Sequence, residues 1–127
     1  MHEQRRRAQI LTPEAETALR ETARRELPDQ LSELAAKYEL SVAGVSVRNQ
    51  RWRWGSCSPS GHISLNWRLI QLPPFVREYV LIHELMHLKR HDHSRKFWRL
   101  VADACPDYPT ARTWLREHRH VLADQLS

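Results

Sequence analysis

Cysteine, glycine and long apolar runs are scarce in this chain, and each scarcity excludes something. Two cysteines, Cys57 and Cys105, are too few for a disulfide framework or for the four-thiolate site of a zinc ribbon. Three glycines cannot build a flexible linker, and no internal repeat or low-complexity stretch is present. The longest purely apolar run is Tyr79 to Ile82, far short of the ~20 residues of a membrane span. Met1 to Leu11 is basic but lacks the apolar segment of a secretory signal. That stretch is expected to be flexible, and the protein to be cytoplasmic with no membrane partner. At 127 residues and 15.1 kDa, residues 1–127 make one domain, able to bury about two thirds of its unfolded surface without a staple.

Arginine is abundant: 17 of the 20 basic residues, in a chain of net charge +5. Apart from Arg5, Arg6 and Arg7, the basic residues are spread along the chain and mixed with acids. That pattern reads as a solvated surface, and nucleic acid stays a weakly supported candidate partner.

Along the chain, Thr12-Pro13-Glu14 reads as a helix start: a capping threonine, a first-turn proline and an acid that complements the dipole. Ala15, Leu19, Ala23, Leu27, Leu31, Leu34 and Tyr38 then describe one helical face. Pro28, within that pattern, is expected to kink or split the helix. After Leu40 the period changes to two, at Val45 and Val47, Trp52 and Trp54, then Ile63 and Leu65. Turn sequences separate these runs, which predicts three short antiparallel strands. Past Pro73-Pro74 the pattern is helical from Phe75 to about Arg90. A further helix runs from Ser94 to before Pro106, and a last one from Pro109 or Thr110 towards Leu126. Helix, strands, then helices is the α+β class.

The chemistry concentrates in His83-Glu84-Leu85-Met86-His87. Histidines four apart on a helix are displaced by only about 40°, so His83 and His87 can bind one Zn²⁺. Glu84 stands about 100° round the helix, suited to act as general base on water in metal-assisted hydrolysis rather than as a ligand. Val80, Leu81, Ile82, Leu85 and Leu88 can bury the other faces. A catalytic zinc needs a third protein ligand. His91, a further turn along, shares the face but sits too far towards the C-terminal end. His93 reaches the metal only if the chain turns near Arg90 to Asp92. Asp92 tolerates unusual backbone conformations and Ser94 is a good cap for the next helix, so His93 is favoured. Asp103 or Glu117, from later helices, remains as the alternative.

The run from His83 to Trp98 resembles the YgjP-like metallopeptidases, relatives of the SprT-like and other zincin proteases. So does Arg53-Trp54-Gly55-Ser56-Cys57-Ser58, continuing from Gly61 to Ile70. The resemblance covers roughly Leu31 to Tyr108. It implies a minimal zincin-like fold with one zinc on His83, His87 and His93 and with Glu84 as base. Longer members carry strand-rich sequence ahead of the first helix, absent here, which implies a minimal catalytic core. SprT-like proteins often end in a zinc ribbon that two cysteines cannot supply, which counts against their role on DNA–protein crosslinks.

Around that centre, Ile63 to Asn66 is expected as a strand near the active helix, either an ordinary core strand or the edge that aligns substrate. Trp54-Gly55 is a candidate for close backbone contact beneath the metal helix. The five tryptophans are expected in the core. Cys57 reads as a buried small thiol rather than a ligand or inhibitor, and Tyr108 or Arg112 is the candidate to stabilise the oxyanion. The expected function is zinc-dependent endopeptidase action on a peptide or protein substrate. The alternatives are a zinc-stabilised binding module that hydrolyses nothing and a protease acting on nucleic-acid-bound proteins.

Overall fold

A computed structural model of the chain describes residues 11–50 and 52–119. The first helix, α1 (Pro13–Lys37), begins where its cap predicts, with Thr12 Oγ1 accepting from the Ala15 N–H at 3.1 Å. Residues 1–10 of the tail expected to be flexible lie outside the described residues, while Leu11 packs against the core. Pro28 does not split α1, which runs unbroken for 25 residues. A proline inside a helix costs ~3 kcal/mol. Leu27 and Leu31, on either side, are both 0% exposed, and each contributes ~1.5–3 kcal/mol by burial. The tertiary contacts outweigh the local penalty. Beyond α1, the Tyr38 hydroxyl donates to the Ala104 carbonyl at 3.1 Å, tying the helix end to a distant part of the chain.

The sheet has three strands, β1 (Gly44–Arg48), β2 (Gly55–Cys57) and β3 (His62–Asn66), in the order β1-β3-β2. It is mixed rather than antiparallel. β1 runs parallel to β3, with Val45 opposite Ile63, and only β2 is antiparallel, with Cys57 opposite Ile63. The expected hairpin is opened, and β3 is inserted between its arms. Asn66 holds it open: its side-chain amide donates to the Gln50 and Arg53 carbonyls at 2.9 and 3.2 Å, and its N–H to the Trp54 carbonyl. Trp52 and Trp54 therefore precede the second strand instead of forming it. Trp54 packs on the core but Trp52 is 90% exposed, so it is not a core residue. The β2–β3 turn is as expected, with Gly61 at φ 92 and its N–H bonded to the Ser58 carbonyl.

Ile63, Leu65, Trp67 and Leu69 share one buried core with Leu27 and Leu31 of α1. A 3-10 helix (Trp67–Gln71), which the periodicity does not reveal, follows β3 and is capped by Asn66. Then come α2 (Pro74–Met86), α3 (Arg95–Ala104) and α4 (Tyr108–Glu117). The far end expected for α4, towards Leu126, lies outside the described residues beyond 119. α2 stops four residues before the expected Arg90. His87, Leu88 and Lys89 instead bond three residues back, to Glu84, Leu85 and Met86, a tightening that ends a helix. Among the described residues, no helix is long and apolar enough to cross a membrane.

Candidate metal centre

His83 and Glu84 lie on the last turn of α2 and His87 caps its end; the helix is sunk in the core through Val80, Leu81, Ile82, Leu85 and Met86. The early end of α2 brings in the third histidine. Asp92 Oδ1 accepts from the Ser94 N–H at 3.1 Å, the Ser94 hydroxyl at 2.6 Å and Arg90 Nε at 3.2 Å. Ser94 Oγ in turn accepts from the Phe97 N–H and caps α3. The chain thus doubles back, and one ligand atom from each of His83, His87 and His93 falls within 4.8 Å of the others. His91 stacks on His87 with ring centroids 6.4 Å apart but is not in the donor cluster. Neither is Asp103 or Glu117.

The hydrogen bonds decide which nitrogens are free. The Arg90 carbonyl can only accept, so His87 donates to it through Nδ1, at 3.0 Å, and keeps a lone pair on Nε2. That Nε2 lies 3.3 Å from His83 Nε2. Two nitrogens each about 2.0–2.1 Å from a tetrahedral zinc stand about 3.3 Å apart, so the pair is spaced as one edge of such a site. His83 Nδ1 lies 3.3 Å from the Tyr79 hydroxyl. When the ring donates there, its Nε2 is also free to ligate, the usual outer support of a metal-binding imidazole. The residues fit zinc.

Electrostatics agree with the geometry. Burial, then the neighbouring His87 and His93, lower the His83 pKa to about 3, and burial lowers that of His87. Both rings are neutral at neutral pH, as metal ligation requires. Burial also raises Tyr79 to about 12, which keeps its phenol oxygen an uncharged partner for His83. Glu84 is 6% exposed, and burial raises its carboxyl to about 7 against the opposing charge of Arg53.

Sequence reasoning missed Phe97. Fully buried, it stacks on His87 at 4.2 Å and meets the edges of His83 and His93 at 5.0 and 5.3 Å, a platform beneath all three imidazoles. Its signals were its place three residues past the Ser94 cap and within the run from His83 to Trp98 that carries the resemblance. Gly55, on β2, comes against Glu84 so closely that a Cβ there would stand 3.0 Å from Glu84 Cγ. That is the close backbone contact expected at Trp54-Gly55. The metal cleft, about 320 Å³, is lined by Arg53, Gly55, Ser56 and Cys57 on one side and by the histidines and Glu84 on the other. Cys57 is a half-buried free thiol, pushed up by burial and by Glu84, and is not in the donor cluster. Tyr108 and Arg112 line a neighbouring cavity instead of this cleft.

A family model for the YgjP-like metallopeptidase domain matches residues 2–118, nearly the whole chain. The chain belongs to the YgjP-like metallopeptidases. Among solved structures, this YgjP-like chain is similar to the metallopeptidase zymogen abylysin of Pyrococcus abyssi. Identity is 30%, the TM-score is 0.52, and the match covers 59% of this chain and 75% of that one. No curated protein matches it. The family and the neighbour bear out the minimal zincin-like α+β fold and make the protein a metallopeptidase.

Proposed function

We propose that this YgjP-like chain is a single catalytic domain that hydrolyses internal peptide bonds with one Zn²⁺ held by His83, His87 and His93. The observation that carries the reading is the three-histidine donor cluster, with two Nε2 atoms 3.3 Å apart, next to a buried carboxylate that is outside it. When bound, zinc supplies a Lewis acid for the scissile carbonyl and lowers the pKa of water.

The chain's own residues do the rest. Glu84, one residue from His83 and walled in by Gly55, takes the proton of the attacking water on its carboxylate and passes it to the leaving amine. The Arg90 carbonyl and the Tyr79 hydroxyl hold the His87 and His83 rings in ligating orientation. Phe97 keeps water from the far side of the three rings. β2 is an outer strand of the sheet and lines the cleft through Gly55, Ser56 and Cys57. An extended substrate aligns there by adding a strand. That role falls to β2, because Ile63 to Asn66 lies in the central strand. Both cysteines are free, which fits a cytoplasmic, reducing location.

Elemental mass spectrometry of wild type, His93→Ala and His91→Ala is the test. About one zinc per chain, lost with His93 and kept with His91, is the expected result. Glu84→Gln should keep the metal and lose turnover of an internally quenched peptide. Zinc retained in His93→Ala refutes the donor set. Wild-type cleavage rates in Glu84→Gln refute the base. A zinc-loaded wild type that cleaves no peptide leaves the non-catalytic binding module.

A further inference from the structure

A second cavity, about 570 Å³, opens beside the metal cleft and shares His93 with it. Two helices build it. Arg95, Trp98, Arg99 and Ala102 occupy one face of α3 at spacings of three and four, and Tyr108 and Arg112 face them from one turn of α4. No acidic residue lines it. The ion pairs among the described residues are Arg20–Glu16, Arg25–Glu26 and Arg90–Asp92, so none of the three guanidiniums at this cavity is neutralised there.

Arg112 is held in place: its guanidinium lies 4.5 Å over the Trp98 ring, and Trp98 stacks on Tyr108 at 5.5 Å. The same indole stands 5.5 Å from His83 and 6.2 Å from His93. One wall of the cavity thus continues into the histidine cluster. Three like charges gathered on one cavity, with aromatic rings between them, attract an anion and give it planar donors. Nucleic acid needs cations set out along a backbone of many phosphates, whereas these three exposed arginines line one cavity that shares His93 with the metal cleft.

We propose that the cavity between α3 and α4 is a specificity subsite for a carboxylate of the peptide substrate, held by Arg95, Arg99 and Arg112. The proposal rests on the peptidase reading of the adjoining cleft and deepens it. The carboxylate comes from an Asp or Glu side chain beside the scissile bond or from a free peptide C-terminus. A guanidinium binds either in bidentate fashion.

The test measures binding, so that it does not depend on turnover. Fluorescein-labelled peptides that differ at one scanned position (Glu, Gln or Lys), with amidated or free C-termini, are titrated against zinc-loaded Glu84→Gln protein and followed by anisotropy. At one position Glu should bind roughly tenfold or more tighter than Gln, the scale of a hydrogen bond to a charged group. A gain confined to free C-termini assigns the carboxylate to the peptide end instead. Arg99→Gln should shrink the ratio, and Arg99→Glu with Arg112→Glu should reverse it in favour of Lys. Arg24→Glu, on the exposed face of α1, should leave the ratio alone. Equal binding of acidic and neutral peptides throughout overturns the subsite. So does a ratio untouched by the charge reversal, or an oligonucleotide that displaces the acidic peptide and loses affinity in the same variants. A zinc-loaded wild type that cleaves none of these peptides strikes at the peptidase reading, and the binding ratio still judges the subsite.

Discussion

Gly55→Ala adds one methyl group and should damage catalysis more than stability. A Cβ at Gly55 would stand 3.0 Å from Glu84 Cγ, 3.2 Å from Glu84 Oε2 and 3.2 Å from the Ser64 carbonyl oxygen. Ser64 belongs to the central strand and is paired on both sides, to Ser46 and Ser56, so it yields least. Gly55 has no left-handed φ that would exclude alanine, so the glycine serves space rather than backbone conformation. The Glu84 side chain must therefore move by a few tenths of an ångström or more. A misplacement of about 1 Å costs ~100-fold in rate, so kcat should fall by roughly 10- to 100-fold. Overpacking should cost ~1 kcal/mol at the low end of its range, a few degrees in Tm for a domain of this size. Glu84 does not ligate in this scheme, so zinc should stay at about one per chain. The assay is kcat and KM on a quenched peptide, with zinc content and a thermal melt on the same samples. Gly44→Ala is the control: its Cβ meets His62 Nδ1 at 2.8 Å, away from the cleft, and it should lower Tm while sparing kcat. A wild-type kcat in Gly55→Ala would show that Gly55 does not set the position of Glu84. Zinc loss there would show that the contact acts through the metal ligands instead.

Three other outcomes are expected. Ser94→Ala removes the cap on α3 and a donor to Asp92. It should cost about 1 kcal/mol and weaken zinc in a chelator competition at least severalfold, through a looser His93; unchanged zinc affinity would detach the turn from the site. Pro28→Ala should stabilise the protein by ~1–2 kcal/mol in urea unfolding. The helix penalty of ~3 kcal/mol is removed, and part of the gain is offset by a freer unfolded chain; a less stable variant would mean that the half-buried ring packs better than the backbone suffers. Chelating the zinc should abolish cleavage reversibly and leave the far-UV circular dichroism nearly intact. Of the three histidines only His87 is buried, and the core from Ala23 to Ala111 is closed by apolar side chains, so loss of helix on chelation would show that the metal is a folding element.

What was legible in the residues depended on how far apart the interacting groups stand in the chain. The helix starts at Thr12 and Ser94 and the turn before His93 are settled within a few residues, by side chains reaching neighbouring N–H groups. Local chemistry therefore reported them, and His93 over His91 followed from the same reasoning. Strand pairing is not local. A period of two reports which face of β1 is buried, but not that its neighbour is β3, whose paired residues stand eighteen positions on (Gly44 opposite His62), rather than β2. Asn66, fully buried with its amide spent on the Gln50 and Arg53 carbonyls, carries that information in one residue and shows no periodicity. Pro28 failed as a splitter for a related reason: its penalty is local, and the burial that overrides it comes from the rest of the core. Phe97 and Arg112 lie further still from any pattern. An apolar residue on α3 reads the same whether it lies under leucines or under three imidazoles. Arg95 and Arg99 read as solvated surface until α4 brings Arg112 to face them. The three-histidine cluster of the proposed site was short-range and readable, while the proposed subsite is made by side chains of two helices. Specificity in this protein therefore has to be sought where Trp98 of α3 meets Tyr108 and Arg112 of α4, and not in the histidine motif.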